Sequence, residues 1–445
     1  MASTKLTRTN GTATNGQKMT FSTWFKIGTQ SSQQSLLSSV TGSGPATDLK
    51  IMALATHNNV FRFECITVEG STIDLKLNRS LKDPGAFYNL VIAVDTTQVT
   101  SSNRVKIYIN GVQETSFATA TYPTQNHTLD FSKTGITQQV GAYSNTNYWN
   151  GLMSYTAFVD GTAYDASYFG ETNAATGIWK IKTSPSVTYG NNGFFLKMDT
   201  SSPGSDTSGN NNTFTASGTP TLTQDNASNN LVTMNPLDNY YPAGTFSNGN
   251  TTVTTSNSNY ARNSSTIGMA TGKWYSEYKV GSITGSGGIY IGITGDLATG
   301  TGGNTGNSPF SYAYDSDGTK HFNGSSSSFG DSYTTGDIIG VALDATNSKI
   351  WWSKNGVWQA SGDPSNGTSP AFTVIVPSLT TIGAYFWSFS DNNSGEYFTC
   401  DCNFGNGYFG TTAVASAGTN ASGNGIFEYD TPTGYTALST KGLNL

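Results

Sequence analysis

Glu428-Tyr429-Asp430 is the stretch of this 445-residue chain whose residue types come nearest to bond-breaking chemistry. Glycoside hydrolysis needs two carboxyl groups, about 5 Å apart in retaining enzymes, and two acids two residues apart on a strand share one face. Here the next residues, Thr431-Pro432-Thr433, supply no third acid, and Pro432 withholds a ladder hydrogen bond from a central strand. A hydrolase would therefore have to gather acids from separate strands. Nucleophilic catalysis has less to build on. Gly-x-Ser-x-Gly is absent, and the histidines that could act as base are His57, His127 and His321, each isolated in sequence. Neither His-Glu-x-x-His nor paired Cys-x-x-Cys occurs. Gly268-Met269-Ala270-Thr271-Gly272-Lys273-Trp274 is one residue short of a phosphate loop and puts Trp274 where a magnesium-binding hydroxyl belongs.

Binding chemistry is better represented. Asp315-Ser316-Asp317-Gly318, with Asp95 and Asp344 at strand ends, offers oxygen ligands of the kind Ca²⁺ takes. Turn formation accounts for the same residues, so no cofactor and no metal ligand is assigned. Tyr143, Asn145, Tyr148 and Trp149 lie together among Asn and Ser residues, and Tyr312 and Tyr314 sit similarly. An aromatic plane stacks on a sugar face while amides bond its hydroxyls, which makes these six residues a candidate shallow glycan site. The competing reading makes the same rings core residues of the next strand.

The elements that position such residues follow from composition. Charged residues are 11% of the chain, against 51 Gly, 23 Tyr, 23 Phe and 8 Trp, a mixture that favours short strands joined by tight turns. A net charge of −6 leaves no basic stripe for a phosphate backbone, so nucleic acid is not expected as a partner. No apolar run is long enough to span a bilayer, and the first residues hold no apolar signal-peptide core; a protein made in the cytosol, and leaving it by a route other than secretion, is expected. Cys65, Cys400 and Cys402 read as reduced strand residues.

Period-two patterns run through 21–27, 60–66, 72–77, 88–95 and 105–112, and resume at 273–280, 288–293, 337–344 and 349–358. Only 163–169 suggests a helical turn. The two halves echo each other: an apolar strand ending in Asp95, then Lys106-Ile107-Tyr108-Ile109 turning at Asn110-Gly111, matches one ending in Asp344, then Lys349-Ile350-Trp351-Trp352 turning at Asn355-Gly356. Between about 200 and 258 the sequence is small, polar and aperiodic, as a linker is.

These residues carry a resemblance. Met19 to Lys26, Phe87 to Asp95, Ile107 to Val112 and Asn150 to Gly161 resemble the concanavalin-A-like, laminin-G-like jelly roll. Gly272-Lys273-Trp274-Tyr275-Ser276-Glu277-Tyr278, Thr335 to Asp344, Ile350 to Trp358 and Cys402-Asn403-Phe404-Gly405 resemble a SPRY domain. The implied fold is all-β: two concanavalin-A-like/SPRY-like antiparallel β-sandwiches joined by a Gly/Ser/Asn-rich segment. The implied division is 1–199 for the jelly roll, 200–258 for the linker, 259–412 for the SPRY-like sandwich and 413–445 for a tail packing on it.

The pairing is similar to structural proteins of tailed bacteriophages. The resemblance implies a virion protein, made in the host cytoplasm and released by lysis, that serves as a capsid appendage, knob or tail-fibre tip. It would bind host-surface glycans or other virion proteins without catalysis, as a homo-oligomer, by analogy a trimer. A glycan depolymerase and a purely architectural capsid decoration are the alternatives.

Overall fold

Alternation becomes pleat in this chain wherever one strand face meets a core. Along Val105–Ile109 the residues are buried and half-buried in turn, and the three inward side chains, Val105, Ile107 and Ile109, join one hydrophobic cluster. The computed structural model describes residues 4–28, 33–40, 49–54, 60–66, 72–131, 133–198, 202–238, 244–255, 262–283, 288–296, 303–391 and 397–444. Among these residues the chain is all-β, with helical structure limited to short 3₁₀ turns. One is Ala166–Tyr168, inside the segment expected to turn, with the Asp165 carboxylate accepting from the backbone N–H of Ser167.

Two compact units divide the chain, 1–222 with 226–228 and 223–225 with 229–445. The first holds an eight-stranded sheet in the order Phe117–Thr121, Thr72–Ser80, Val60–Ile66, Leu49–Leu54, Gln33–Val40, Thr137–Val140, Lys5–Thr9 and Thr215–Ser217. Its six-stranded sheet runs Phe194–Leu196, Gly151–Asp160, Lys18–Ile27, Phe87–Asp95, Val105–Ile109 and Val112–Gln113. Phe21, Phe25 and Ile92 of the smaller sheet share a buried cluster with Phe61, Phe63 and Leu75 of the larger, which makes the pair a sandwich.

The second unit repeats that plan. One sheet runs Thr245–Ser247, Thr252–Thr254, Phe398–Asn403, Lys273–Ile283, Ile338–Asp344, Lys349–Lys354 and Val357–Trp358; Phe372–Thr373 pairs beside Lys349–Lys354, and Thr436–Ala437 pairs parallel with Lys273–Ile283. The other runs Arg262–Ser264, Phe386–Asp391, Ile289–Thr294, Ser311–Asp315, Thr319–Phe322 and Ser325–Ser328.

The echo between the halves is geometric as well as sequential. In both units a long strand pairs with the Asp-ending strand, which pairs in turn with the strand leading into the Asn-Gly hairpin. Asn110 and Asn355 both have φ 49°, and Gly111 and Gly356 both have φ 80°, the left-handed pair that suits a two-residue hairpin. Lys18 stands opposite Asp95 with 3.2 Å between charged atoms; Lys273 stands opposite Asp344 at 3.6 Å.

The segment expected to be a linker is divided between the units. Thr215–Ser217 pairs with Lys5–Thr9 and Phe214 joins the first core, whereas Thr245–Ser247 and Thr252–Thr254 extend a sheet of the second. Periodicity misses the stretch before that strand because side chains, not a ladder, fold it. The Asp206 carboxylate accepts from the backbone N–H groups of Phe195, Ser208 and Asn212 and from the Ser208 hydroxyl. The 413–445 segment packs within the second unit, with Leu438 in its main core and Phe427, Tyr435 and Ala437 in a smaller cluster beside Tyr275.

Cys65, Cys400 and Cys402 are free thiols, all buried. Desolvation pushes the Cys65 and Cys400 thiols well above their ordinary value, which suppresses the reactive thiolate. A charged disulfide reagent is expected to label none of them in the native protein and all three after unfolding in urea. Labelling of the native chain within minutes would show that these strands open.

Candidate functional site

In the first unit the loop 141–150 is held by its own backbone. Tyr143 and Thr146 exchange N–H···O bonds of 3.1 and 2.8 Å around Ser144 and Asn145, both at positive φ, and the Trp149 N–H returns to the Gly141 carbonyl at 2.9 Å. Asn147, also at positive φ, gives its carbonyl to the N–H of Ser35. This pinning leaves Asn145 exposed, with its side-chain oxygen accepting from the Lys5 ammonium, and Tyr143 and Tyr148 half-buried on either side. Trp149 has a different job. Its ring meets Phe25 edge-on at 5.5 Å and packs on the first core, and its indole N–H points to the Leu152 carbonyl at 3.4 Å.

Tyr312 and Tyr314 are not loop residues. They lie in the Ser311–Asp315 strand, 2% and 0% exposed, so neither ring has a face to offer a sugar. Tyr312 stacks on Phe322 with ring centres 4.7 Å apart, and its oxygen accepts the Ile375 N–H at 3.0 Å; the Tyr314 hydroxyl donates to the Asp331 carbonyl. Burial pushes both phenols above the usual tyrosine range. All five residues of this strand are buried, so the alternation that would have separated core from surface is missing from the sequence. Of the six residues offered as a candidate glycan site, Tyr143, Asn145 and Tyr148 of the first unit remain candidates.

The acids considered for catalysis are engaged with backbone. Glu428 accepts from the Ala415 N–H at 2.7 Å, and Asp430 accepts from the N–H and hydroxyl of Thr419, both at 2.7 Å. Asp95 and Asp344 pair with lysines and with the turns that follow them. His57 lies outside the described residues.

Two features went unread in the sequence. The Glu277 carboxylate, fully buried on the Lys273–Ile283 strand, receives the backbone N–H groups of Glu428 and Tyr429 at 2.8 and 2.9 Å, the Asn403 amide at 3.2 Å and the Tyr275 hydroxyl at 3.1 Å. No local pattern announces a partner 150 residues away. The second feature is His321, whose Nε2 lies 3.3 Å from Asp315 Oδ2, since the Ser311–Asp315 and Thr319–Phe322 strands form a hairpin across the Asp317-Gly318 turn. Asp315, Asp317 and His321 place one ligand atom each within 4.8 Å of one another.

With the geometry described, comparison with known proteins adds domain types. Residues 273–375 match the SPRY domain model, and residues 2–166 match that of the concanavalin A-like lectin/glucanases superfamily. Both are typically non-catalytic binding modules. No curated protein matches the chain. Among solved structures the chain is similar to the SPRY domain of human HERC1, at 16% identity and a TM-score of 0.30, over 38% of this chain and 96% of that one. It is also similar to stonustoxin, at 16% identity and a TM-score of 0.29, over 39% of this chain and 27% of that one.

Proposed function

We propose that this chain is a non-enzymatic adhesion protein of a tailed-phage virion, whose first sandwich binds an uncharged face of a host-surface glycan through Tyr143, Asn145 and Tyr148. It is held in the particle by other virion proteins as a homo-oligomer. The observation that carries the reading is the pinned 143–149 loop: an exposed Asn145 flanked in sequence by the half-buried Tyr143 and Tyr148, on backbone fixed by its own hydrogen bonds. Rigid aromatic and amide groups lose little entropy when a sugar docks, which shallow sites depend on. The carboxylates that catalysis would call on are committed to backbone turns, which favours binding over cleavage.

Purified protein on a glycan array, with whole host cells as a second target, tests this. Tyr148→Ala is expected to weaken retention about three- to tenfold, the range a stacked ring contributes. Trp149→Ala is expected to act through stability, lowering the melting point of the first unit because its ring packs on Phe25. Retention unchanged in Tyr148→Ala, or sustained release of new reducing ends from host polysaccharide, would overturn the proposal.

A further inference from the structure

We propose that Asp315, Asp317 and His321 form a binding site for a zinc-type first-row divalent metal ion, on the hairpin that joins Ser311–Asp315 to Thr319–Phe322 in the second unit. The donor set is one imidazole nitrogen and two carboxylates, contributed by the end of one strand, the turn, and the start of the next. Two ligands of a tetrahedral zinc lie about 3.3 Å apart, given metal–ligand bonds near 2.0–2.1 Å. His321 Nε2 and Asp315 Oδ2 already stand 3.3 Å apart. Asp317 is exposed on the turn, its Oδ1 accepting the Thr319 backbone N–H at 2.8 Å.

Hydrogen-bond accounting shows what belongs between these atoms. The Thr319 hydroxyl has one proton and lies 2.6 Å from Asp317 Oδ1, a carboxylate that can only accept. Once that proton is given away, the Thr319 oxygen turns a lone pair towards His321 Nε2, 2.9 Å off. Nε2 therefore faces lone pairs from Thr319 and from Asp315, and only a positive centre suits that point: the imidazole's own proton, or a metal that displaces it. The charge balance agrees. Two carboxylates face one imidazole, while the neighbouring Lys320 sends its ammonium to the Ala371 carbonyl.

The ligands are also held in place. The Tyr290 ring meets the imidazole edge-on at 4.9 Å and 85°. A side chain at Gly306 would come within 2.6 Å of His321 Cβ, and one at Gly288 within 2.6 Å of Asp315 Oδ1, so glycine at both positions leaves ring and carboxylate undisturbed. An imidazole ligand selects against Ca²⁺, which takes oxygen, and favours Zn²⁺, Co²⁺ or Ni²⁺.

Isothermal titration of tag-free, EDTA-stripped full-length chain with Zn²⁺, and separately with Ca²⁺, tests the site. One Zn²⁺ per chain is expected, with no Ca²⁺ heat, and with affinity at least tenfold weaker in Asp317→Asn and in His321→Gln. Asp317 lies on the surface, so its variant reports on binding without disturbing the core; melting curves in EDTA check that both variants fold as the wild type does. Absence of zinc heat up to 1 mM, zinc affinity unchanged in His321→Gln, or Ca²⁺ bound as tightly as Zn²⁺ would overturn the assignment.

Discussion

Glu277→Ala is expected to destabilise the second unit by about 3–5 kcal/mol, the scale of a broken buried charged network. Four donors converge on this carboxylate, and truncation leaves the N–H groups of Glu428 and Tyr429, and the amide of Asn403, facing an empty space that burial keeps from water. The same site makes stability depend on pH. Desolvation is the largest influence on Glu277 and outweighs its four hydrogen bonds, so its carboxyl is pushed up from 4.5 to about 7. The folded chain thus holds this proton more tightly than the unfolded chain does. The resulting stabilisation is complete below about 4.5 and is lost as pH rises through about 7, a change on the order of 3 kcal/mol. Urea midpoints from tryptophan fluorescence at pH 5, 6.5 and 8 are expected to fall for the wild type and to stay level for Glu277→Gln, which carries no titrating proton at this position. A wild-type midpoint that stays level over that range would mean the four donors, not burial, set the charge state.

Strand positions were legible where one face is wet, and elsewhere as apolar runs bounded by turns, as in Ile338–Asp344, whose residues are all buried. Val105–Ile109 alternates cleanly, and both hairpins carry Asn-Gly at the left-handed pair that requires it. The Ser311–Asp315 strand is covered on both faces, so no alternation decides between the two readings of Tyr312 and Tyr314, and the structure places both in the core. The stretch around 206–212 reads as linker because Asp206 folds it through side-chain-to-backbone bonds, which leave no periodic trace. Within the candidate sites, Asn145 and Tyr148 were legible as loop residues, whereas the bond from Glu277 to the backbone of Glu428 spans 151 positions and no composition rule reaches it. His321 was visible as a histidine, but its place beside Asp315 depends on the register of one hairpin, Ala313 opposite His321.

That pairing logic also makes the duplicated hairpins sensitive points of both sandwiches. Gly111→Ala and Gly356→Ala are each expected to lower the stability of their own unit by about 2–5 kcal/mol, the sum of roughly 1–2 for a left-handed backbone with a side chain and 1–3 for forced repacking. The repacking arises because an aromatic ring from later in the chain covers each turn. A Cβ at Gly111 would come within 2.5 Å of the Trp179 ring, and one at Gly356 within 2.6 Å of the Tyr429 ring. Those rings are tied from below: the Trp179 indole N–H donates to Asn89 at 3.1 Å, and the Tyr429 backbone N–H donates to Glu277 at 2.9 Å. Gly336→Ala separates the two causes, since Gly336 has φ 92° and nothing within 4 Å of its added Cβ; its cost is expected to be the backbone share alone, about 1–2 kcal/mol. Scanning calorimetry should show Gly111→Ala displacing one transition and Gly356→Ala the other. Equal shifts from Gly356→Ala and Gly336→Ala would remove Tyr429 from the account, and with it the idea that each sandwich locks its hairpin under a ring delivered by a distant segment.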